Sequence, residues 1–177
     1  MANLVDSYNY ATHDDYYTPK YAWENINHLI PKNSTIWEAC MLNAHKSKSP
    51  QYINELGHNC VYDTELDCLE GYIDCDIIIS NIPFSTNIKT KILKRFIELD
   101  KPFIIIMNSM NLYSNYIRDI FKGHFDKLQV LKPQGKIHFD KLNYETNELE
   151  KTKNCSFYCI YLCYKMDLSN EDLWLIK

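Results

Sequence analysis

Asn81-Ile82-Pro83-Phe84 closes the apolar run 76-DIIIS-80 and combines residue types that could grip a flat amine. The Asn81 side-chain oxygen and the Ile82 carbonyl can both accept hydrogen bonds from an exocyclic amine. Pro83 fixes the turn so that the two acceptors converge. Phe84 can stack on the face of a base. An amine held by two acceptors keeps its lone pair aimed away from them, towards an electrophile. No general base is then essential, because a methylated ammonium product sheds its proton readily. The plainer reading is that Asn-x-Pro is a turn and Phe84 is core.

Other polar residues close neighbouring runs. Glu38 ends 34-STIWEA-39, Asp63 ends 59-NCVYD-63, and Asn108 follows 102-PFIIIM-107. In open α/β sheets, ligands bind outside the carboxyl ends of the strands. A carboxylate placed there can accept both hydroxyls of a ribose. Alternatively the acids are solvated strand ends, and Asp63 has Glu65 and Asp67 close by.

The elements that must position these residues can be read from periodicity. A helix is expected over 18-TPKYAWENINHLI-30, with Thr18 as N-cap and Pro19 in its first turn. A second runs over 49-SPQYINELG-57, capped by Ser49, started by Pro50 and stopped by Gly57. A third, 86-TNIKTKILKRFIEL-99, carries Ile88, Ile92, Leu93, Phe96 and Ile97 at helical spacing. A fourth spans 111–122, with Tyr113, Tyr116, Ile117, Ile120 and Phe121 as its inner stripe. The runs at 76–80 and 102–107 are apolar throughout, as strands buried on both faces should be. Two last strands, 127-KLQVLK-132 and 155-CSFYCIYLCYK-165, are separated by a polar stretch that reads as a loop. Alternating strands and helices predict an α/β, mostly parallel sheet covered on both faces, with an antiparallel edge hairpin formed by the last two strands.

Composition narrows the function class. The 177 residues are expected to form a single domain, 1–177, with 1–15 as a loose N-terminal segment. A net charge of −4 shows no basic excess, although a local patch can still bind phosphates. Lys46, Lys48, Lys89, Lys91, Lys94 and Arg95 flank the proposed site, as phosphate contacts or as a solvated face. Seven cysteines, an odd number with no signal peptide, point to reduced thiols in a cytosol-like compartment. Cys155, Cys159 and Cys163 share one strand face with Phe157 and Tyr161, which reads as core filling rather than a metal site. No paired CxxC or HxxxH element exists, so no metal is expected. No apolar run approaches the ~20 residues of a membrane span.

Asn81-Ile82-Pro83-Phe84 resembles the (Asp/Asn)-Pro-Pro-(Tyr/Phe) signature of S-adenosylmethionine-dependent amino-methyltransferases. The rRNA adenine dimethyltransferases carry a close version, Asn-(Leu/Ile)-Pro-(Tyr/Phe). Tyr17-Thr18-Pro19 is similar to the family segment near the methionine end of the cofactor. The run 36-IWEA-39 resembles the first strand end, and 55-ELGHNCVYD-63 the passage whose final acid holds the ribose. Asp67-Cys68 occupies the place of the pair that reads the cofactor adenine, and 102-PFIIIMNSM-110 is similar to the strand after the signature. The match covers roughly residues 16–165 and looks most like the short adenine methyltransferase-like proteins of phages and large DNA viruses.

The resemblance implies a Rossmann-like class I methyltransferase fold acting on adenine N6 of DNA or RNA. It implies S-adenosylmethionine as cofactor, held by Tyr17, Thr18, Pro19, Glu38, Cys40, Asp63, Asp67 and Cys68. Asn81, Ile82, Pro83 and Phe84 would be the catalytic residues. The expected partner is nucleic acid, with no membrane, in the cytoplasm or the replication compartment of a viral host. With 177 residues no separate target-recognition domain is expected. A base inside a duplex must also be flipped out, so single-stranded or structured RNA, or a short unselective DNA site, suits it better.

One departure stands out. The family loop reads Glu-Pro-x-x-Gly-x-Gly, whereas this chain has 38-EACMLNAHKSKSP-50, with Leu42 and Ala44 in the glycine places. Leu42 is expected to crowd the methionine or ribose. A non-glycine residue forced into a left-handed conformation costs ~1–2 kcal/mol. The second reading is therefore a protein of this fold that has lost catalysis. It would serve as a nucleic-acid-binding or scaffold subunit beside an active partner methyltransferase.

Overall fold

The computed structural model of the chain describes residues 16–133, 135–143, 145–152 and 156–169. Its main body is a six-stranded sheet. In chain order the strands are β2 (Thr35–Trp37), β3 (Asn59–Val61), β4 (Ile77–Asn81), β5 (Phe103–Asn108), β6 (Leu128–Leu131) and β9 (Cys159–Tyr164). Their spatial order is β3-β2-β4-β5-β9-β6. The first four are parallel, and β9 runs antiparallel to both β5 and β6. The expected antiparallel pair thus exists, but β9 lies inside the sheet and only β6 is at the edge.

Side-chain alternation along the strands builds one apolar cluster on each face. Ile77, Ile79, Ile104 and Ile106 pack with Ala22, Trp23 and Ile53 on one side. Ile78, Phe103, Ile105 and Met107 pack with Ile92, Leu93, Phe96 and Ile117 on the other. This is why β4 and β5 read as continuous isoleucine runs. Cys159, Tyr161 and Cys163 lie together in the first cluster, as core filling requires; Cys155 lies outside the described residues. The described residues include no helix long and apolar enough to cross a membrane.

Among the described residues, four helices cover the sheet: α1 (Lys20–Glu24), α2 (Ser49–Glu55), α3 (Thr86–Leu99) and α4 (Asn115–Ile120). The third matches its predicted bounds. The first is much shorter than expected and gives way to a 3-10 turn at Asn27–Leu29. Asn25 and Asn27 lie there, and asparagine side chains compete with helical backbone bonds. Pro19 rather than Thr18 is its N-cap residue, and Thr18 Oγ1 is buried without a partner. Ser49 does not cap α2: Lys48 holds that place, and Ser49 Oγ instead accepts from Trp23 Nε1 at 3.1 Å. Gly57 stops that helix at φ +94°, a conformation that favours glycine. The predicted 111–122 helix splits at Ser114 into a 3-10 turn, Ser109–Tyr113, and α4. Tyr113 consequently faces solvent instead of joining the inner stripe, whereas Tyr116, Ile117, Ile120 and Phe121 do pack inward.

The polar stretch expected to be a loop is a hairpin. β7 (Asp140–Asn143) and β8 (Glu148–Lys151) pair antiparallel, and β1 (Tyr16–Tyr17) joins β7 to complete a second sheet, β1-β7-β8. Asp140 faces Lys151, Lys141 faces Glu150, and Leu142 faces Leu149. Opposite-charge cross-strand pairs stabilise such ribbons, and a search for apolar runs passes over them.

Candidate functional site

The carboxyl ends of β2 and β4 meet at Glu38, Ser80 and Asn81. Ser80 is the one polar residue of an otherwise isoleucine stretch, 77–80, and its hydroxyl donates to Glu38 Oε1 at 2.5 Å. Ser80 Oγ in turn accepts from the Cys40 N–H at 3.1 Å. Glu38 is buried, and burial pushes its carboxyl from the usual 4.5 up to about 8. Hydrogen bonds from Ser80 and the Cys40 backbone pull the other way but do not offset burial. Cys40 and Cys68 touch through their thiols. That contact, followed by burial, raises the Cys40 thiol well above its ordinary range.

Asn81 is the last residue of β4 and its side chain is fixed at one end. Its Nδ2 donates to the Tyr16 carbonyl at 3.0 Å, across 65 residues of sequence. Because the amide nitrogen must face that carbonyl, Oδ1 points the other way. There it is buried and has no hydrogen-bond partner. Ile82 and Pro83 are buried. Phe84 is half-buried, with its ring among Tyr16, Phe139 and Phe157 at centroid distances of 5.4, 6.0 and 4.8 Å. The second sheet therefore stands directly over the signature residues.

Most of the sequence-predicted residues are brought together. Tyr17 pairs with Asp140 in β1–β7, next to the Tyr16 carbonyl that holds Asn81, and the buried Thr18 and Pro19 follow it in the chain. Glu38, Cys40 and Cys68 form the neighbouring group. Asp67 Oδ1 closes a turn by accepting from the Leu69 N–H at 2.9 Å. Asp63 is exposed just beyond β3, and its Oδ1 accepts from the Glu65 N–H at 2.8 Å. Among the described residues, no group of three or more His, Cys, Asp or Glu could hold a metal ion.

The 38–48 loop solves its backbone problem without glycine. Its left-handed residue is Asn43, at φ +58°, rather than Leu42 or Ala44. Asparagine tolerates that region better than other side chains. The Asn43 N–H donates to the Thr64 carbonyl at 2.9 Å, which ties the loop to the segment after β3. Leu42 is half-buried. Asn43→Ala is expected to cost ~1–2 kcal/mol of stability, and Asn43→Gly to cost much less; urea denaturation checks both.

Sequence reasoning missed Ser80, Tyr16 and Asn43, and misplaced Lys89. A lone serine inside an isoleucine strand was a readable signal, since a buried hydroxyl requires a partner. Lys89 fits neither a phosphate contact nor a solvated face. It is buried in α3, and its Nζ donates to Asn111 Oδ1 at 3.2 Å.

The chain is similar to a number of solved structures, two of which match it over most of its length. One is a candidate RNA methyltransferase from Pyrococcus horikoshii, at 16% identity and a TM-score of 0.51, covering 93% of each chain. The other is a candidate class I S-adenosylmethionine-dependent methyltransferase from Listeria monocytogenes, at 13% identity and a TM-score of 0.54. That match covers 92% of this chain and 66% of the other, just under two thirds of its length. No family model and no curated protein matches the chain. At these identities the likeness defines a fold, and the fold is the Rossmann-like class I methyltransferase fold.

Proposed function

We propose that the chain is an S-adenosylmethionine-dependent methyltransferase acting on an exocyclic amine, adenine N6 of DNA or RNA. The observation that carries this reading is the orphaned Oδ1 of Asn81. A buried acceptor without a donor costs about 1–3 kcal/mol. Here it stands at a strand's carboxyl end, held in direction by Tyr16, where an incoming amine N–H would satisfy it. The Ile82 carbonyl would take the second N–H, and the lone pair would face away from both acceptors.

When bound, S-adenosylmethionine supplies a methyl group carried on a sulfonium. The buried Glu38 carboxyl has hydroxyl and backbone donors but no cation among its contacts, so a sulfonium beside it would favour its ionised form. Asp63, Asp67, Cys68, Cys40 and the 17–19 segment would complete the holding group, and Asn43 supplies the loop's left-handed residue. Phe84 would stack on the base after its aromatic neighbours give way.

The second reading rests on Leu42 and Ala44 in the glycine places and on the occupied ring of Phe84. It is a chain that holds a base without transferring methyl, beside an active partner subunit. Incubation with tritiated S-adenosylmethionine and RNA, DNA or protein separates the two. Label recovered as N6-methyladenine supports the first. Label on protein, or none, overturns it.

A further inference from the structure

We propose that Met110, Tyr113, Tyr158 and Lys136 form a stacking platform for unpaired nucleotides beside the target base, which makes single-stranded or looped nucleic acid the substrate class. The proposal rests on the reading of Asn81 above only for where the target base lies.

Three large side chains stand out from the surface here: Met110 is 67% exposed, Tyr113 84% and Tyr158 61%. The first two sit three apart in the 3-10 turn Ser109–Tyr113. Three residues per turn put them on one side. The turn is rigidly built. Asn108 Oδ1 accepts from the Met110 N–H at 2.9 Å, and Asn111 Nδ2 donates to the Asn108 carbonyl at 2.9 Å. Lys89, buried in α3, braces Asn111 from beneath. The Ser109 N–H donates to the Tyr158 carbonyl at 2.9 Å, which docks the second tyrosine beside the turn. The Lys136 ammonium stands 4.5 Å from the centre of the Tyr158 ring. A loop exposing aromatics by accident does not need this much internal bracing.

The platform adjoins the candidate site. Phe157, next to Tyr158 in sequence, packs on Phe84 at 4.8 Å. β5, which ends on Asn108, pairs with β4 so that Ile106 lies opposite Asn81. A strand whose base entered at Asn81 would therefore leave across Tyr158 and Tyr113.

Charge selects the occupant. The chain has 23 acidic residues, yet none falls in 108–118, 132–139 or 156–165, the segments that carry the platform. Those segments contain Lys132 and Lys136; their other two cations are already paired, Arg118 with Asp119 at 3.0 Å and Lys165 with Asp100 at 2.6 Å. A polyanion is accepted where the rest of the surface would repel it. Exposed rings serve single strands because each unpaired base has an open face, whereas duplex bases are already stacked. A protein partner would need a broader apolar patch than three separated side chains supply.

The test is fluorescence anisotropy with labelled oligoadenylate, oligodeoxyadenylate and a duplex of equal length. Wild type, Tyr113→Ala, Tyr158→Ala, the double variant and Asn81→Ala are titrated at one salt concentration. Each tyrosine variant is expected to weaken single-strand binding by roughly 5- to 100-fold, with an unchanged melting temperature because both rings are exposed. Wild type is expected to prefer single strands to duplex, and Asn81→Ala, which loses one contact to the target base, to lose less affinity than the double tyrosine variant. The ratio of RNA to DNA affinity separates the two substrates. Unchanged affinity in the double variant, equal affinity for duplex, or no strand binding overturns the platform; methyl transfer to protein without strand binding assigns the surface to a protein partner. Weakened strand binding in the variants without any methyl transfer by wild type would leave the platform standing and remove the transferase reading. Methyl transfer to nucleic acid with unaltered strand binding would do the reverse.

Discussion

Replacing Asn81 by alanine is expected to slow methyl transfer by about 10²–10³-fold, the usual loss when one preorganised hydrogen-bonding group is removed from a reacting centre. Stability should change by only about 1 kcal/mol. The Tyr16 carbonyl loses its donor, but the unsatisfied Oδ1 disappears with it. Asn81→Asp sharpens the point. It keeps the outward acceptor but puts a second carboxylate oxygen where Nδ2 now donates, against the Tyr16 carbonyl 3.0 Å away. That variant should lose both rate and stability, since two acceptors face each other across the β1 contact. Single-turnover methyl transfer and thermal melting on the same preparations distinguish the two outcomes. Full rate in Asn81→Ala would remove the amine-gripping role.

The second large effect concerns pH. Glu38 has a folded-state pKa near 8 against an ordinary 4.5. The folded chain therefore keeps a proton on Glu38 that the unfolded chain releases across that window. This contribution to stability is complete below pH 4.5 and is lost as pH rises through 8. Glutamine keeps an acceptor for Ser80 and cannot ionise. Between pH 4.5 and 8, wild type should lose roughly 3–5 kcal/mol relative to Glu38→Gln. Urea denaturation at intervals across the range reads this directly. Parallel profiles for the two proteins would contradict it. A cationic ligand beside Glu38 should favour its ionised form, so adding S-adenosylmethionine is expected to flatten the wild-type decline.

The sheet was legible because its signals were local. Ile77 to Ile79 and Phe103 to Met107 alternate between two buried faces, so every position had to be apolar. α3 declared itself by Ile92, Leu93 and Phe96, which pack on one side. The β7–β8 hairpin was illegible for the opposite reason. It is held by Asp140 against Lys151 and Lys141 against Glu150, and charges at those spacings resemble any polar loop until the strands are paired.

The site divides in the same way. Asn81-Ile82-Pro83-Phe84 could be read from four adjacent residues. What gives Asn81 its direction is the carbonyl of Tyr16, and no sequence pattern announces a bond across 65 residues. Leu42 and Ala44 read as a damaged loop because the family pattern has glycine at those two places. The left-handed turn sits between them on Asn43, a residue that can bear it. Tyr113 was assigned to a helix interior by spacing alone. The break at Ser114 turned it outward, and with it came the exposed surface next to the pocket.

The most direct test is calorimetric titration of the purified chain with S-adenosylmethionine and with S-adenosylhomocysteine. The account predicts saturable heat for one site at micromolar to submillimolar ligand, weakened in Glu38→Gln. No heat at millimolar ligand would contradict it and leave the base-holding scaffold as the reading of Asn81 to Phe84.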